Sequence, residues 1–258
     1  MPLDLDVLTV ALLLLAALSA GWVDAVVGGG GLIQLPALLL VPGISPVQAL
    51  ATNKLGSIMG TSVSALTYYR RVGPDLRTAA PMALTALLSA VGGAALASRI
   101  PEDLFTPIIL VVLLGVAAWT IARPTLGAHT DLRWSGRGHH LAAAALGLGI
   151  GCYDGLLGPG TGTFLVISLV SVLGYAFLPA SALAKVVNFA TNLGALIFFV
   201  PYGAVLWGLG AAMGVANLTG GYLGARMAVA RGSGFIRVVF LVVVLALVAR
   251  LGWDVLVG

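Results

Sequence analysis

Gly21-Trp22-Val23-Asp24-Ala25-Val26-Val27-Gly28-Gly29-Gly30-Gly31 and Gly151-Cys152-Tyr153-Asp154-Gly155-Leu156-Leu157-Gly158-Pro159-Gly160-Thr161-Gly162 are two versions of one pattern. In each, an Asp is followed after three residues by a glycine-rich run. Self-similarity at a spacing near half the chain marks an internal duplication. Working outward, Lys54, Ser57 and Thr61 correspond at one constant offset to Lys185, Asn188 and Asn192. Gly93, Ala97 and Arg99 likewise match Gly220, Gly224 and Arg226. The chain therefore divides into a first helical repeat, 1–122, a polar linker, 123–139, and a second helical repeat, 140–258.

Residues of this chain are 60% hydrophobic and 9% charged, more apolar surface than one soluble core of 258 residues can hide. Lipid is the solvent that such a composition requires. Apolar runs near the ~20 residues needed to cross a hydrocarbon core occupy 7–27, 46–69, 76–99, 104–122, 140–157, 179–200, 204–230 and 235–257. Two shorter apolar segments, 32–41 and 163–173, directly follow the glycine runs. The fold class expected is thus all-α and polytopic, with eight long spans, two short segments and repeats of inverted topology. The first run is read as mature protein, because Asp4 and Asp6 stand where a signal peptide carries basic residues.

If all ten segments cross, Arg70, Arg71, Arg77, Arg123, Arg133, Arg137, Arg226, Arg231 and Arg237 share one side and only Arg99 and Arg250 the other. With the short segments re-entrant the halves run parallel, and Arg99, Arg226, Arg231 and Arg237 move outside. Cytoplasmic loops are enriched in Lys and Arg, which favours the inverted arrangement. The net charge of +4 contains no basic run dense enough for nucleic acid. One cysteine, Cys152, excludes an intrachain disulfide, a four-cysteine zinc site and an iron–sulfur cluster. His129, His139 and His140 fall in or beside the polar linker and are expected to be solvated, so neither metal nor other cofactor is anticipated.

Chemistry is concentrated in Asp24, Asp154, Lys54 and Lys185, each deep in apolar sequence. A charge at the centre of a lone membrane helix costs ~2.5–3.5 kcal/mol, so intramembrane ionisable residues mark function or a specific pairing. One reading is a pair of buried Asp–Lys bridges that join the halves; the other is a polar chamber at the repeat interface. Lys54, Ser57, Thr61 and Ser64 recur at helical spacing on one face, as do Ser181, Lys185, Asn188 and Asn192. Asn53 lies beside the first Lys. Gly28, Gly29, Gly30 and Gly31, with Gly158, Gly160, Thr161 and Gly162, precede short helices, where backbone N–H groups attract anions. Close helix packing is the alternative for these glycines, and it is the role expected of Gly93, Ala97, Gly220 and Gly224. Neither glycine run carries the Lys-Ser or Lys-Thr of a nucleotide-binding loop. Trp119, Trp207, Trp253, Tyr68 and Tyr202 are expected in the interfacial aromatic belt.

The stretch 21–33, Ala51-Thr52-Asn53-Lys54-Leu55, the stretch 153–162 and the stretch 185–192 resemble the TauE/SafE family of sulfite exporters over nearly the whole chain. The resemblance implies a secondary transporter of a small sulfur-containing anion in a bacterial inner membrane, not an enzyme. Asp24, the glycines from Gly28, Asn53, Lys54, Asp154, Gly158, Gly160, Lys185, Asn188 and Asn192 are the motif positions. Pro159, Thr161 and Ala184 break the symmetry of the halves, so one half binds while the other gates. The implied partners are a small anion, the bilayer and a coupling proton carried by Asp24 and Asp154, with a homodimer left open. An anion channel is the rival within membrane transport. An intramembrane aspartyl protease is the rival enzyme class, although the second Asp lacks the Gly-x-Gly-Asp setting.

Overall fold

A computed structural model describes the backbone of residues 5–101, 104, 108, 111 and 129–257, and the side chains of the same residues except 237, 240, 241 and those beyond 242. All of the fifth apolar run of the first repeat, 104–122, except 104, 108 and 111 lies outside the described residues, Trp119 included, as do Arg123 and the side chains of Arg237, Arg250 and Trp253. The described chain is helical throughout: α1 Val7–Val27, α2 Gly31–Leu39, α3 Pro46–Arg71, α4 Leu76–Ala97, α5 Gly136–Leu156, α6 Thr161–Ser168, α7 Phe177–Tyr202 and α8 Trp207–Val257. A π-helical turn, Leu169–Leu173, prolongs α6. The last two apolar runs form the single element α8, whose helical backbone breaks at Gly232 with φ 72° and ψ −168°.

Helix boundaries follow local chemistry. The Asp6 carboxylate accepts the Thr9 N–H at 2.7 Å and starts α1. Ser45 and Gln48 form a reciprocal capping box, with Pro46 at the first helical position of α3. The two glycine runs break the chain: Gly28 ends α1 in the left-handed conformation at φ 84° and donates its N–H to the Asp24 carbonyl. Among the described residues α1, α4 and α7 are long and apolar enough to cross a membrane, at 21, 22 and 26 residues. α3 is equally long, but its buried face carries Thr52, Asn53, Lys54, Thr61 and Ser64, so its polarity is directed into the protein. The nine residues of α2 reach only ~14 Å at 1.5 Å per residue, about half a hydrocarbon core.

The halves are interleaved. α1 packs chiefly on α8 and α5 on α4, so each repeat's first helix leans on the other repeat; α3 packs on α8, α7 on α4, and α3 on α7. Glycines allow these approaches: a Cβ at Gly220 or Gly224 would strike the α1 backbone at Trp22, and one at Gly147, Gly151 or Gly155 would strike Met82, Ala86 or Ala90. These contacts advance in step along both chains, as do Gly210 with Leu55, Gly214 with Met59 and Gly221 with Gly60 and Ser64 on α3 and α8. Helices α4 and α5 therefore run in the same direction, and so do α3 and α8. Because turns 72–75 and 203–206 reverse the chain, α3 and α7 run in opposite directions.

Two expectations are corrected. Tyr68 is fully buried, not interfacial, and its hydroxyl donates to the Ala25 carbonyl at 3.0 Å. His139 is buried rather than solvated, because α5 starts at Gly136 and turns it toward α4; its Nε2 lies 3.0 Å from the Thr78 hydroxyl and 3.2 Å from the Tyr175 hydroxyl. Tyr202 and Trp207 are exposed near helix ends, in keeping with a belt position.

Candidate functional site

Two glycine breaks, one from each half, meet inside the bundle. The Thr163 N–H donates to the Gly28 carbonyl at 3.1 Å and the Thr163 hydroxyl to the Val27 carbonyl at 3.0 Å. A Cβ on Gly28 would collide with Gly162 and Thr163 backbone, and Gly28 also needs its positive φ, so two independent constraints demand glycine there. Gly158 mirrors it at φ 85°, where a Cβ would come within 2.9 Å of the Lys54 ammonium. Part of the loops' backbone polarity is therefore spent on helix capping and on each other, and less of it faces an open site than the sequence suggested.

Against these breaks the central helices α3 and α7 deliver their lysines crosswise. Lys54 of the first half pairs with Asp154 Oδ1 of the second at 2.7 Å. Lys185 of the second pairs with Asp24 Oδ2 of the first at 2.8 Å and also donates to the Asp24 carbonyl oxygen. Both lysines are almost fully buried, and Asp154 is 2% exposed against 13% for the Asp24 side chain. A buried pair costs desolvation that its Coulombic gain need not exceed, so two such pairs are poor devices for stability alone.

Between the breaks lies one cavity, lined by Asp24, Gly28, Gly31, Asn53, Lys54, Ser57, Asp154, Gly158, Thr161, Gly162, Asn188 and Asn192. Most of the residues singled out in the sequence are thus brought together. Lys185 stands one contact behind, through Asp24. Gly29, Gly30, Gly160 and Thr61 are close in sequence but off the wall; the Thr61 hydroxyl turns back onto the Ser57 carbonyl at 2.9 Å. Asn192 Nδ2 donates to the Asn188 carbonyl at 2.9 Å, which holds those two side chains in register along α7. The cavity is small, with about 20 Å³ open to water-sized bodies.

Beside the cavity lie polar residues that pattern reading missed. Gln34, fully buried on α2, accepts from Asn217 Nδ2 of α8 at 2.7 Å, a further bond between the halves. Its signal was visible: Gln34 is the one polar residue in the apolar segment 32–41. Tyr153 donates to the Pro159 carbonyl and steadies the second break. Trp22 lies instead on the α1–α8 seam, its Nε1 3.3 Å from the Met227 sulfur.

The profile of the family described as Sulfite exporter TauE/SafE matches residues 13–251. This chain belongs to that family. Its TauE/SafE relatives include "Probable membrane transporter protein ORF9" of Sinorhizobium sp, 38% identical over 97% of this chain and 95% of the relative. They also include "Probable membrane transporter protein" of Haemophilus influenzae, 31% identical over 98% of both chains, and "Probable membrane transporter protein YfcA" of Escherichia coli K12, 32% identical over 96% of this chain and 91% of the relative. No solved structure gives a significant match. A TauE/SafE chain with these relatives and these apolar helices is a polytopic membrane transporter, and its relatives' names are those of transporters rather than enzymes.

Proposed function

We propose that this protein is a secondary transporter of a small anion, sulfite or a related organosulfur anion, working by alternating access in a bacterial inner membrane. The observation that carries the reading is the polar cavity at the meeting of the two halves, with Lys54 on its wall and Lys185 behind Asp24. On this reading the lysines hold the anion, while Asn53, Ser57, Asn188, Asn192 and the N-termini of α2 and α6 complete its shell. A carboxylate that takes up the coupling proton releases its lysine to the anion, and Asp24 and Asp154 are the two candidates for that proton.

We place the two repeats in inverted orientation. Supporting this are the opposite directions of α3 and α7 and the fact that Arg70, Arg71, Arg77, Arg137, Arg226 and Arg231 belong to the helix ends that these directions bring to one side, with Arg99 at the other. Access alternates when one glycine break opens its side while the other stays packed.

In proteoliposomes loaded with sulfite, wild-type protein should show counterflow and uphill movement under a pH gradient. Lys54→Ala should abolish both, and Asp154→Asn should abolish the response to the gradient. Unchanged pH-dependent flux in both variants would remove these residues from the mechanism.

A further inference from the structure

The two ion pairs differ in what they leave unsatisfied. Asp24 offers Oδ2 and its backbone carbonyl to Lys185 and is partly open to water. Asp154 offers only Oδ1 to Lys54; its Oδ2 has no partner although the side chain is 2% exposed. Asn53 Oδ1, on a residue 3% exposed, is likewise without a partner, and Asn53 and Asp154 line the same cavity. An ionised carboxylate oxygen can only accept a hydrogen bond, whereas a protonated one donates. Two buried acceptors facing one water-sized space are therefore both satisfied by an arrangement that brings a proton to Oδ2, directly or through a single water.

Charge gives the same direction. Two lysines and two aspartates sum to zero, so a monovalent anion entering the group would leave one uncompensated negative charge in a poorly solvated interior, which is costly. The anion that takes N–H donors from Lys54 also strips Asp154 of its one partner. Titratable and charged groups around Asp154 are Lys54 on α3, Asp24 on α1 with its Lys185 on α7, and the neighbouring Tyr153; none of these has an oxygen that is both sealed from solvent and without a partner. A metal cation fits poorly, because an ammonium already lies 2.7 Å from the same carboxylate and hard cations take about six or more oxygen ligands.

Resting on the transport reading above, we infer that Asp154 is the proton-binding site of the cycle: one proton adds to its Oδ2 for each monovalent anion that draws Lys54 from Oδ1. The Lys185–Asp24 pair stays ionised throughout and holds the first glycine break. The O–H bond formed on entry breaks on release, when Lys54 returns to the carboxylate and the proton leaves to solvent on the anion's side. The halves are thus unequal: one carries the proton, the other keeps its pair.

The test is anion binding to purified protein by titration calorimetry in buffers of different ionisation enthalpy. Sulfite and methanesulfonate serve as probes, the second because it does not titrate near neutral pH. Wild type should take up one proton per methanesulfonate bound, Asp24→Asn should keep that ratio in whatever binding remains, and Asp154→Asn should bind with no uptake. Infrared difference spectra of the wild type should gain a protonated-carboxyl band on anion binding, one that Asn53→Ala shifts; this readout does not depend on the Asp154 variant folding. Uptake retained in Asp154→Asn, uptake lost in Asp24→Asn, or no carboxyl band in the wild type overturns the assignment. Failure of the wild type to bind either anion overturns the transport reading itself.

Discussion

Lys54–Asp154 and Lys185–Asp24 are two pairs of the same make, and they differ in surroundings rather than in geometry. Their lengths are 2.7 and 2.8 Å, yet one carboxylate is sealed with an oxygen bare while the other is 13% exposed, with Lys185 holding both its Oδ2 and its residue's backbone carbonyl. The breaks beneath them differ in the same sense. Gly28 is locked into the backbone of the opposite break, whereas Gly158 is pressed against a flexible lysine tip. Two ion pairs of like geometry can therefore sit in unlike surroundings within one bundle.

The largest effect should separate the breaks. An alanine at Gly28 must adopt a left-handed backbone, costing ~1–2 kcal/mol, and also push aside backbone at Gly162 that cannot move alone. Gly28→Ala should leave little folded protein by size-exclusion chromatography. Gly158→Ala bears the same conformational cost but displaces only the Lys54 ammonium, so it should fold and bind sulfite more weakly. Equal folding yields for the two variants would erase the distinction.

Next comes the loss of either lysine. Removing one partner of a buried pair costs ~3–5 kcal/mol, and Lys54→Ala should approach that figure because Asp154 is left with no partner at all. Lys185→Ala should cost less, since Asp24 reaches water. Thermal unfolding in detergent reads the order, and a reversed order would mean that the exposure of Asp24 carries no weight.

These contrasts also show where the sequence was legible. The helical faces carrying Lys54 and Lys185 and the glycine breaks could be read because spacing along one chain encodes them. Which carboxylate each lysine meets could not be read, because a repeat looks the same whether its contacts stay within a half or cross to the other. Tyr68 and His139 misled for a related reason: the end of an apolar run looks like a membrane interface until the packing of a neighbouring helix covers it. Gln34 and Asn217 lay on different halves, and nothing in either segment named the other.

A smaller effect should follow from that unforeseen bond. Asn217→Ala leaves Gln34 Oε1 buried without its donor, a loss of ~1–3 kcal/mol, and it should lower thermal stability without changing proton uptake on anion binding. A change in that uptake would tie α2 to the coupling step.

The smallest effect lies at the end of α4. Burial pushes the Asp75 carboxyl up, but hydrogen bonds from the Thr78 hydroxyl, the Arg77 and Thr78 N–H groups and the Tyr175 hydroxyl outweigh it and hold the group below its ordinary 3.8. A carboxyl lowered in the folded state stabilises it above the ordinary value, and that stabilisation is lost as pH falls through the lowered one. Asp75→Asn should therefore flatten the acid side of the stability curve and leave the site's contrasts untouched; an unchanged acid limb would show that this network contributes nothing.

Everything turns on the two breaks meeting around one chamber. A Cβ at Gly31 would lie 3.3 Å from Pro159, on the opposite half. With Cys152→Ala as background, Gly31→Cys and Pro159→Cys should form a disulfide in proteoliposomes, stop sulfite counterflow, and regain it on reduction. Absence of the cross-link, or full counterflow with the cross-link closed, would contradict a shared chamber that must open between the halves.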